Sequence, residues 1–370
     1  MTDSNEDLKY WLALQQSPGI GPITYANLLA VYSNPRTLFS LSATELHQLG
    51  LKATSVDAIL KPDWNAINAD LSWLEHDHHH IITLQDKDYP FLLRESAAAP
   101  PILYIVGDKE LLNQPQLAMV GSRNPTPAGI QTAEEFARHL AAAGLTITSG
   151  MAIGIDGCCH RGALDAGGKT IAVTGTGLDQ IYPARHRQLA YEIVATGAIV
   201  SEFPIGTPPR AENFPRRNRI ISALSLGTLV IEAALRSGSL ITARHALDQG
   251  REVFAIPGSI HNPLARGCHH LIRQGAQLVE TANDIINLLL PQCDRMPNTF
   301  QLTDSYNNPS DDHESDYTHI LNEMGYSPAS VDELVKRSGL TAEEVSSMML
   351  ILELQGTVAS SPGGCYIRVK

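Results

Sequence analysis

Between residues 117 and 258, short and almost wholly apolar runs alternate with longer segments in which apolar residues recur every three or four positions. Strands that are apolar throughout and alternate with helices are typical of a parallel sheet covered by helices on both faces. The pattern predicts a doubly wound, Rossmann-like α/β domain over residues 111–290. The predicted strands are LAMVG (117–121), LTITSG (145–150), TIAVTG (170–175), AIVSE (198–202), GTLVIEA (227–233) and REVFAIPG (251–258).

The residues before this domain, 1–110, have mainly helical patterns and predict a small all-α domain of a SAM-like or helix-hairpin-helix-like kind. Within it, Pro18-Gly19-Ile20-Gly21 opens an apolar helix, as in a helix-hairpin-helix turn that presents backbone amides to a phosphate. A tight glycine turn between two packed helices is an equal alternative, because this region is acidic.

The residues after the Rossmann-like domain divide into two segments. Residues 291–316 are polar, contain Pro and Asn and lack periodicity, which predicts a linker. Residues 317–370 have three helical patterns and then a turn between two strand-like runs, the order of a winged helix. Residues 301–370 carry 11 acidic and 4 basic residues, so a protein-contact or regulatory role is as open as DNA-groove binding.

Charge is distributed unevenly along the chain. The net charge of −12 argues against an anionic partner, yet residues 101–300 carry 17 basic and 16 acidic residues, and 15 of the basic ones are arginine. Arginine suits bidentate recognition of phosphate and stacking on flat rings. The middle of the chain therefore fits an anionic partner.

Targeting signals and disulfide patterns are missing from the sequence. No apolar run reaches the roughly 18 residues that span a bilayer, and the N-terminal MTDSNEDLKYW is acidic where a signal peptide is basic. The five cysteines form no C-x-x-C pair. We therefore expect a cytoplasmic protein with reduced thiols and no membrane partner.

The ends of the predicted strands locate a site. Ligands of open α/β sheets bind beyond the carboxyl ends of the strands, where small residues let backbone amides approach an anion. A string of arginines along that rim fits a polyanion, and aromatic residues among them can stack on bases. For each arginine, an ion pair with Glu202, Glu212 or Glu232 is the alternative. The residues concerned are Gly121, Ser122, Arg123, Gly150, Gly175, Gly177, Tyr182, Arg185, Arg187, Phe203, Arg210, Phe214, Arg216, Arg217, Arg219 and Arg244.

The sequence contains no complete motif for a nucleotide cofactor or a metal. GALDAGGKT (162–170) is close to a phosphate-binding P-loop, but Ala163 stands at its first glycine and the segment precedes a strand rather than following one. The first strand–helix turn, GSRNPTPAG, lacks the G-x-G-x-x-G of dinucleotide sites. Adjacent Cys158, Cys159 and His160 cannot easily converge on one ion. We predict no cofactor, no metal and no catalytic residue.

The succession of motifs closely resembles the DprA family, also called Smf, the DNA-processing proteins of bacterial natural transformation. The resemblance covers residues 117–280, and the two flanking domains are similar to those of the longer members. It implies a protein that binds and protects incoming single-stranded DNA along the strand-end rim, forms a homodimer and helps to load a RecA-type recombinase, without being an enzyme. The motifs are VGSRNPTPAG, SGMAIGIDGCCHRGAL, GGKTIAVTGTGLDQIYPARHRQL, SEFPIGTPPRAENFPRRNRIISALS, GTLVIEAALRSGSLITARHALDQGREVFAIPGS and GCHHLIRQGA.

Carried over residue by residue, the resemblance adds helix and turn residues to the strand-end glycines. The histidine of YPARHR stands where many members have asparagine, which leaves open whether Arg185 or Arg187 meets the phosphate. The predicted DNA site comprises Gly121, Ser122, Arg123, Gly150, Gly175, Gly177, Arg185, Arg187, Asn213, Phe214, Arg216, Arg217, Asn218, Arg219, Ser237, Gly238 and Ser239.

An enzyme is the competing interpretation. GTLVIEA is similar to the G-T-x-x-E element of nucleotide phosphoribohydrolases, which share this Rossmann variant and cleave an N-glycosidic bond with that glutamate, here Glu232. The full P-G-G-x-G-T form is missing, and a hydrolase has no need of so many rim arginines. Because a fold does not fix its chemistry, this alternative stays open at this point.

Overall fold

A computed structural model describes residues 2–293, 314–325, 329–354, 356–361 and 365–368 of the chain. The chain divides into two compact units, Met1–Asp304 and Ser305–Lys370, which are described separately. The helices of the first unit are α1 (Thr2–Gln16), α2 (Pro22–Val31), α3 (Ala43–Gln48), α4 (Ala53–Leu60), α5 (Trp64–Leu74), α6 (Phe91–Arg94), α7 (Pro127–Ala142), α8 (Ile155–Asp165), α9 (Arg187–Thr196), α10 (Asn213–Ala223), α11 (Ser239–Asp248), α12 (Arg266–Arg273) and α13 (Ala282–Cys293).

Within residues 2–293 the structure describes a nine-stranded sheet of order β1-β2-β6-β5-β4-β3-β7-β8-β9. The strands from β3 onward pair in parallel, whereas β2 is antiparallel to both β1 and β6. All six predicted strands are confirmed. The strands are β1 (His79–Thr83), β2 (Ile102–Gly107), β3 (Gln116–Gly121), β4 (Thr146–Ser149), β5 (Thr170–Val173), β6 (Ala198–Ser201), β7 (Gly227–Ile231), β8 (Glu252–Ala255) and β9 (Gln277–Leu278).

The parallel strands are buried on both faces, as their continuous apolar sequences predict. In β3, Leu117 and Met119 pack into a core with residues of α7, α8 and α13, whereas Ala118 and Val120 pack into a second core with residues of α10, α11 and α12. Successive side chains of a strand point to opposite faces, so one apolar strand serves both cores. The predicted doubly wound Rossmann-like fold is therefore confirmed.

The N-terminal region differs from the prediction in where the sheet begins. Helices fill most of residues 2–74, but β1 and β2 then extend the sheet, so a boundary at residue 110 cuts through it. The helices also share a core with Ile102 and Tyr104 of β2. β1 was not predicted because its sequence, HHIIT, is short, begins with two histidines and is only half-buried over its first three residues.

The second unit contains helices α14 (Glu314–Met324), α15 (Val331–Ser338) and α16 (Ala342–Leu354) and an antiparallel sheet of order β10-β12-β11. Its strands are β10 (Ala329–Ser330), β11 (Val358–Ser361) and β12 (Cys365–Arg368). The predicted winged helix is confirmed. Residues 294–313, most of the predicted linker, and the predicted turn at 362–364 lie outside the described residues. Among the helices that are described, none is long and apolar enough to cross a membrane.

A buried carboxylate ties the N-terminal helices to the strand-end loops. Asp70 of α5 is 1% exposed and accepts hydrogen bonds from Gln16 Nε2 (2.6 Å), the Tyr104 hydroxyl (3.0 Å) and the backbone N–H of Ile205 (3.0 Å). Ile205 lies in the segment that connects β6 to α10. Burial raises the pKa of Asp70 to about 6, because the three donors offset only part of the cost of removing the charge from water.

This raised pKa predicts a pH-dependent stability. The folded protein holds the Asp70 proton more tightly than the unfolded chain, whose aspartates titrate near ~3.9, so stability is lost as the pH rises from about 4 to 6. Relative to Asp70→Asn, the unmodified protein should lose roughly 3 kcal/mol of unfolding free energy over this interval. Urea unfolding at several pH values measures the difference, with Asp57→Asn as a control that removes an exposed carboxylate. Parallel curves for the unmodified protein and Asp70→Asn would contradict the assignment.

Candidate nucleic-acid interface

A cleft of about 500 Å³ opens beyond the carboxyl end of β3, between the turn that follows β3 and the turn that follows β7. The strand order reverses between β3 and β7, which makes this the topological switch point where open α/β sheets bind ligands. We call it the strand-end cleft. Of the predicted site residues, it is lined by Gly121, Ser122, Arg123, Phe214, Arg217, Asn218, Ser237, Gly238 and Ser239.

The basic run of NFPRRNR forms the first two turns of α10 rather than a loop. A helix advances about 100° per residue, so arginines one and two positions apart face different environments. Arg216 is exposed, Arg217 is only 4% exposed, and Arg219 is half-buried. The helix therefore separates three arginines that look equivalent in the sequence.

Arg217 is a structural cation. Its guanidinium donates to the carbonyl oxygens of Gly150 and Val173, next to the ends of β4 and β5. A Cβ at Gly150 would lie 2.5 Å from Arg217 Nη1, so this close approach requires glycine. Burial lowers the pKa of Arg217 to about 10, which leaves it charged at neutral pH, while the nearby Asp156 carboxylate favours the cation.

Asp156 is the buried counter-charge, in the first turn of α8. Its carboxylate accepts from the backbone N–H of Ala152 (3.2 Å), so it closes the turn before the helix rather than capping it, and Gly154 occupies the cap position. Burial raises the pKa of Asp156, and the positive charges of Arg217 and Arg123 oppose this shift. The buried Asp156 and Arg217 thus compensate each other under the cleft.

Arg219 is also structural. Its guanidinium forms an ion pair with Glu202 and donates to the carbonyl oxygen of Ala98. Glu202 is 5% exposed, and burial raises its pKa while the charge of Arg219 opposes the rise. Of the ion pairs that the sequence left open, this one is confirmed.

Exposed cations and aromatic rings form the accessible surface. The Arg123 guanidinium lies 6.0 Å from the centroid of the Phe214 ring, and the rings of Phe214 and Tyr182 are 5.6 Å apart. The Arg216 guanidinium lies 5.2 Å from the ring of Phe203, but that ring is only 5% exposed, so Phe203 is not available for the predicted stacking on a base. Guanidinium groups next to rings offer charge for phosphates and flat faces for bases in one place.

The predicted glycines beyond β5 serve the protein's own packing. Gly175 and Gly177 are buried, as is Gly150. The carbonyl of Gly175 accepts from the buried side chain of Asn213 (3.1 Å), and the N–H of Gly177 donates to the carbonyl of Thr207 (3.0 Å). These groups therefore already have protein partners. Gly121, in contrast, is half-buried and lines the cleft.

Arg185 and Arg187 lie outside the strand-end cleft. Both are exposed, on the short 3-10 helix Ala184–His186 and at the start of α9. His186 between them is buried, and its Nδ1 lies 3.0 Å from the carbonyl oxygen of Met151. The histidine that departs from the family pattern thus fixes the backbone between two arginines that face solvent.

The turn Ser237-Gly238-Ser239 begins α11 at the cleft. The hydroxyls of Ser237 and Ser239 are 2.7 Å apart, and Ser237 Oγ also accepts from the N–H of Ser239 (3.3 Å). Asn218 Nδ2 donates to the carbonyl of Gly238 (3.4 Å), which links α10 to this turn. The first N–H groups of a helix favour an anion through the helix dipole.

Glu232 is already engaged by the protein. Its carboxylate accepts from the N–H of Thr126 (2.8 Å), the hydroxyl of Thr126 (2.6 Å) and Asn262 Nδ2 (3.3 Å). Thr126 is the residue before α7, so the carboxylate sits at the N-terminus of that helix, where its charge is stabilised. This geometry gives Glu232 a structural role.

Comparisons with known proteins show the family to which the chain belongs. The family described as DNA recombination-mediator protein A matches residues 80–290, and the DprA winged helix domain matches residues 305–364. Protein Smf of Escherichia coli K12 is 44% identical over 337 residues, which are 89% of this chain and 88% of that protein. The chain belongs to the DprA/Smf family.

Other members of the DprA/Smf family match in sequence and in structure. DprA of Streptococcus pneumoniae R6 is 46% identical over 204 residues, 55% of this chain and 72% of that protein. A crystal structure of the pneumococcal protein matches with a TM-score of 0.68 and 35% identity, over 75% of this chain and 97% of that chain. A structure of Helicobacter pylori DprA, from work on its single-stranded DNA binding mode, matches with a TM-score of 0.53 and 34% identity, over 58% and 98%.

For this DprA/Smf family chain, sequence reasoning missed one cation of the cleft. Arg236 is exposed and lines the cleft directly before Ser237, whereas Arg244, which the sequence suggested, is exposed on α11 and does not line it. The signal was present, because Arg236 immediately precedes the serine-rich turn that begins α11. Arg236 was missed because the prediction considered residues at the ends of the strands, and Arg236 lies in the turn beyond the end of β7.

The two adjacent arginines of α10 should behave differently when replaced. Arg217→Ala leaves two backbone carbonyls without their donor and buries Asp156 without its cation, so it should cost roughly 3–5 kcal/mol of unfolding free energy. Arg216→Ala removes an exposed side chain and should change stability by less than about 0.5 kcal/mol. Urea unfolding followed by tryptophan fluorescence measures both. Equal stabilities for the two variants would contradict the structural role of Arg217.

Proposed function

We propose that this protein binds single-stranded DNA in the strand-end cleft and protects it during natural transformation and recombination. One observation carries the proposal: exposed Arg123 and Arg236 line the switch-point cleft together with the ring of Phe214, and exposed Arg216 lies two residues after Phe214 on α10. Family membership supports it, as does the single-stranded DNA binding of the Helicobacter relative.

The binding mode follows from the groups that the cleft presents. Exposed guanidinium groups hold phosphates beside the positive end of the α11 dipole, and Phe214 stacks on bases. Stacking requires unpaired bases, which favours single-stranded over double-stranded DNA, and tolerates any base because each has a flat face. Arg185 and Arg187 extend the cationic surface beyond the cleft. Arg217 is buried and Arg219 is half-buried, and both act by holding the elements around the strand-end cleft in place.

The wider role rests on the family rather than on this geometry. We infer that the protein acts in the cytoplasm as a homodimer and helps to load a RecA-type recombinase onto the strand that it protects. The family's description as a recombination mediator supports this step. No enzymatic activity is needed for the role, and the hydrogen bonds of Glu232 to Thr126 speak against a free catalytic carboxylate.

Salt dependence tests the phosphate contacts. The logarithm of the affinity for oligo(dT) should fall linearly with the logarithm of salt concentration, by about 0.7 per phosphate neutralised. The triple variant Arg123→Ala, Arg216→Ala, Arg236→Ala should bind more weakly and with a slope smaller by about 2, because three contacts are gone. Arg138→Ala, near the C-terminal end of α7 and paired with Asp165, is the matched control. A salt-independent affinity, or an unchanged slope in the triple variant, would show that DNA phosphates do not bind at these arginines.

Strand preference and hydrolysis are measured on the same samples. Single-stranded oligonucleotide should bind more tightly than the duplex of the same sequence, and nucleoside monophosphates should not be hydrolysed. Hydrolysis that disappears in Glu232→Gln would instead support the phosphoribohydrolase.

A further inference from the structure

A second pocket, of about 290 Å³, lies next to the strand-end cleft and has no role in the binding mode described above. Its wall is apolar, with Met151 and Ile199, and Tyr182 and Tyr191 also line it. Tyr182 is 46% exposed and Tyr191 60% exposed, a large aromatic area to leave in water. We call it the tyrosine pocket.

One pair of neighbouring rings lies between the tyrosine pocket and the strand-end cleft. Tyr182 lines the pocket, and its ring lies 5.6 Å from that of Phe214, which lines the cleft. A strand that stacks on Phe214 therefore reaches Tyr182 next. Flat aromatic faces beside an apolar wall suit a nucleobase turned away from the backbone.

Two polar side chains of the tyrosine pocket, Asp179 and Gln180, present acceptor atoms that are held in place. Asp179 Oδ1 accepts from the N–H of Gly206 (2.8 Å), which fixes the carboxylate and leaves Oδ2 and the second lone pair of Oδ1 for a ligand. Gln180 Nε2 donates to the carbonyl of Thr207 (2.8 Å), which leaves Oε1. A charged acceptor that is fixed in advance discriminates between bases by the donors on their edges.

We propose that the tyrosine pocket takes one base of the bound strand and favours guanine. Guanine presents its ring N1–H and its 2-amino group side by side, a pair that matches a carboxylate. Thymine has a single N–H between two carbonyl oxygens, which the carboxylate repels. The inference rests on the proposed single-strand binding and adds a modest preference at one position to binding that otherwise tolerates any sequence.

The test moves a single guanine along an oligo(dT) 10-mer and measures the affinity at each position. The affinity should rise about five-fold or more when guanine reaches one position or two adjacent ones, because a well-placed bidentate contact discriminates by at least this factor. Binding of all strands at equal affinity would overturn the pocket but not single-strand binding. Failure of every strand to bind would overturn both.

Asp179→Asn isolates the acceptor. Asparagine keeps Oδ1 for Gly206 and replaces Oδ2 with a donor, so the guanine preference should disappear while oligo(dT) still binds. Asp248→Asn removes the same charge from an exposed position on α11 and should keep the preference. Retention of the preference in Asp179→Asn would overturn the role of this carboxylate.

Crosslinking locates the base and separates a strand from a free nucleotide. A 10-mer with 6-thioguanine at the preferred position, irradiated and digested, should give adducts on Tyr182 or Tyr191, and free dGMP at millimolar concentration should not displace it. Adducts confined to Phe214 would overturn the pocket. Displacement by dGMP would show that the pocket takes free nucleotides rather than a base of the strand.

Discussion

The buried guanidinium of Arg217 is the interaction on which the strand-end cleft depends. It connects α10 to the segments at the ends of β4 and β5 through two backbone carbonyls, and it balances the buried charge of Asp156 at the start of α8. A buried charge without a partner is costly, so α10, α8 and the ends of β4 and β5 are held in one arrangement. The N–H of Ile155 in α8 donates to the carbonyl of Ser122 in the turn after β3 (3.1 Å), so this turn is held against the same elements, and the Arg123 guanidinium lies 6.0 Å from the centroid of the Phe214 ring.

A second set of contacts holds the segment that leads into α10. Asp70 binds the N–H of Ile205, Asp179 binds that of Gly206, and Glu202 pairs with Arg219. The N-terminal helices thus help to position α10. The arginines of the basic run therefore have different roles. Arg216 faces solvent, whereas Arg217 and Arg219 hold α10 in place.

The sequence predicted the six central strands, the winged helix and the edge of the sheet at which the strand-end cleft opens, because apolar strands and small strand-end residues reflect backbone requirements. It did not separate Arg216 from Arg217, because that distinction depends on where α10 begins. It also missed that β1 and β2 belong to the sheet. β2 joins the sheet by pairing with β6, which lies far away in the chain, and β1 pairs with β2. Gly175 and Gly177 were predicted to present backbone amides to an anion, but the carbonyl of Gly175 and the N–H of Gly177 form hydrogen bonds within the protein.

Backbone amide hydrogen exchange with and without oligo(dT) tests the central claim most directly, that single-stranded DNA lies in the strand-end cleft. Addition of the oligonucleotide should slow exchange in residues 121–126, at the start of α10 and in residues 234–240, and leave the C-terminal half of α7 unchanged. Slower exchange confined to the winged helix, with no change at these turns, would contradict the account.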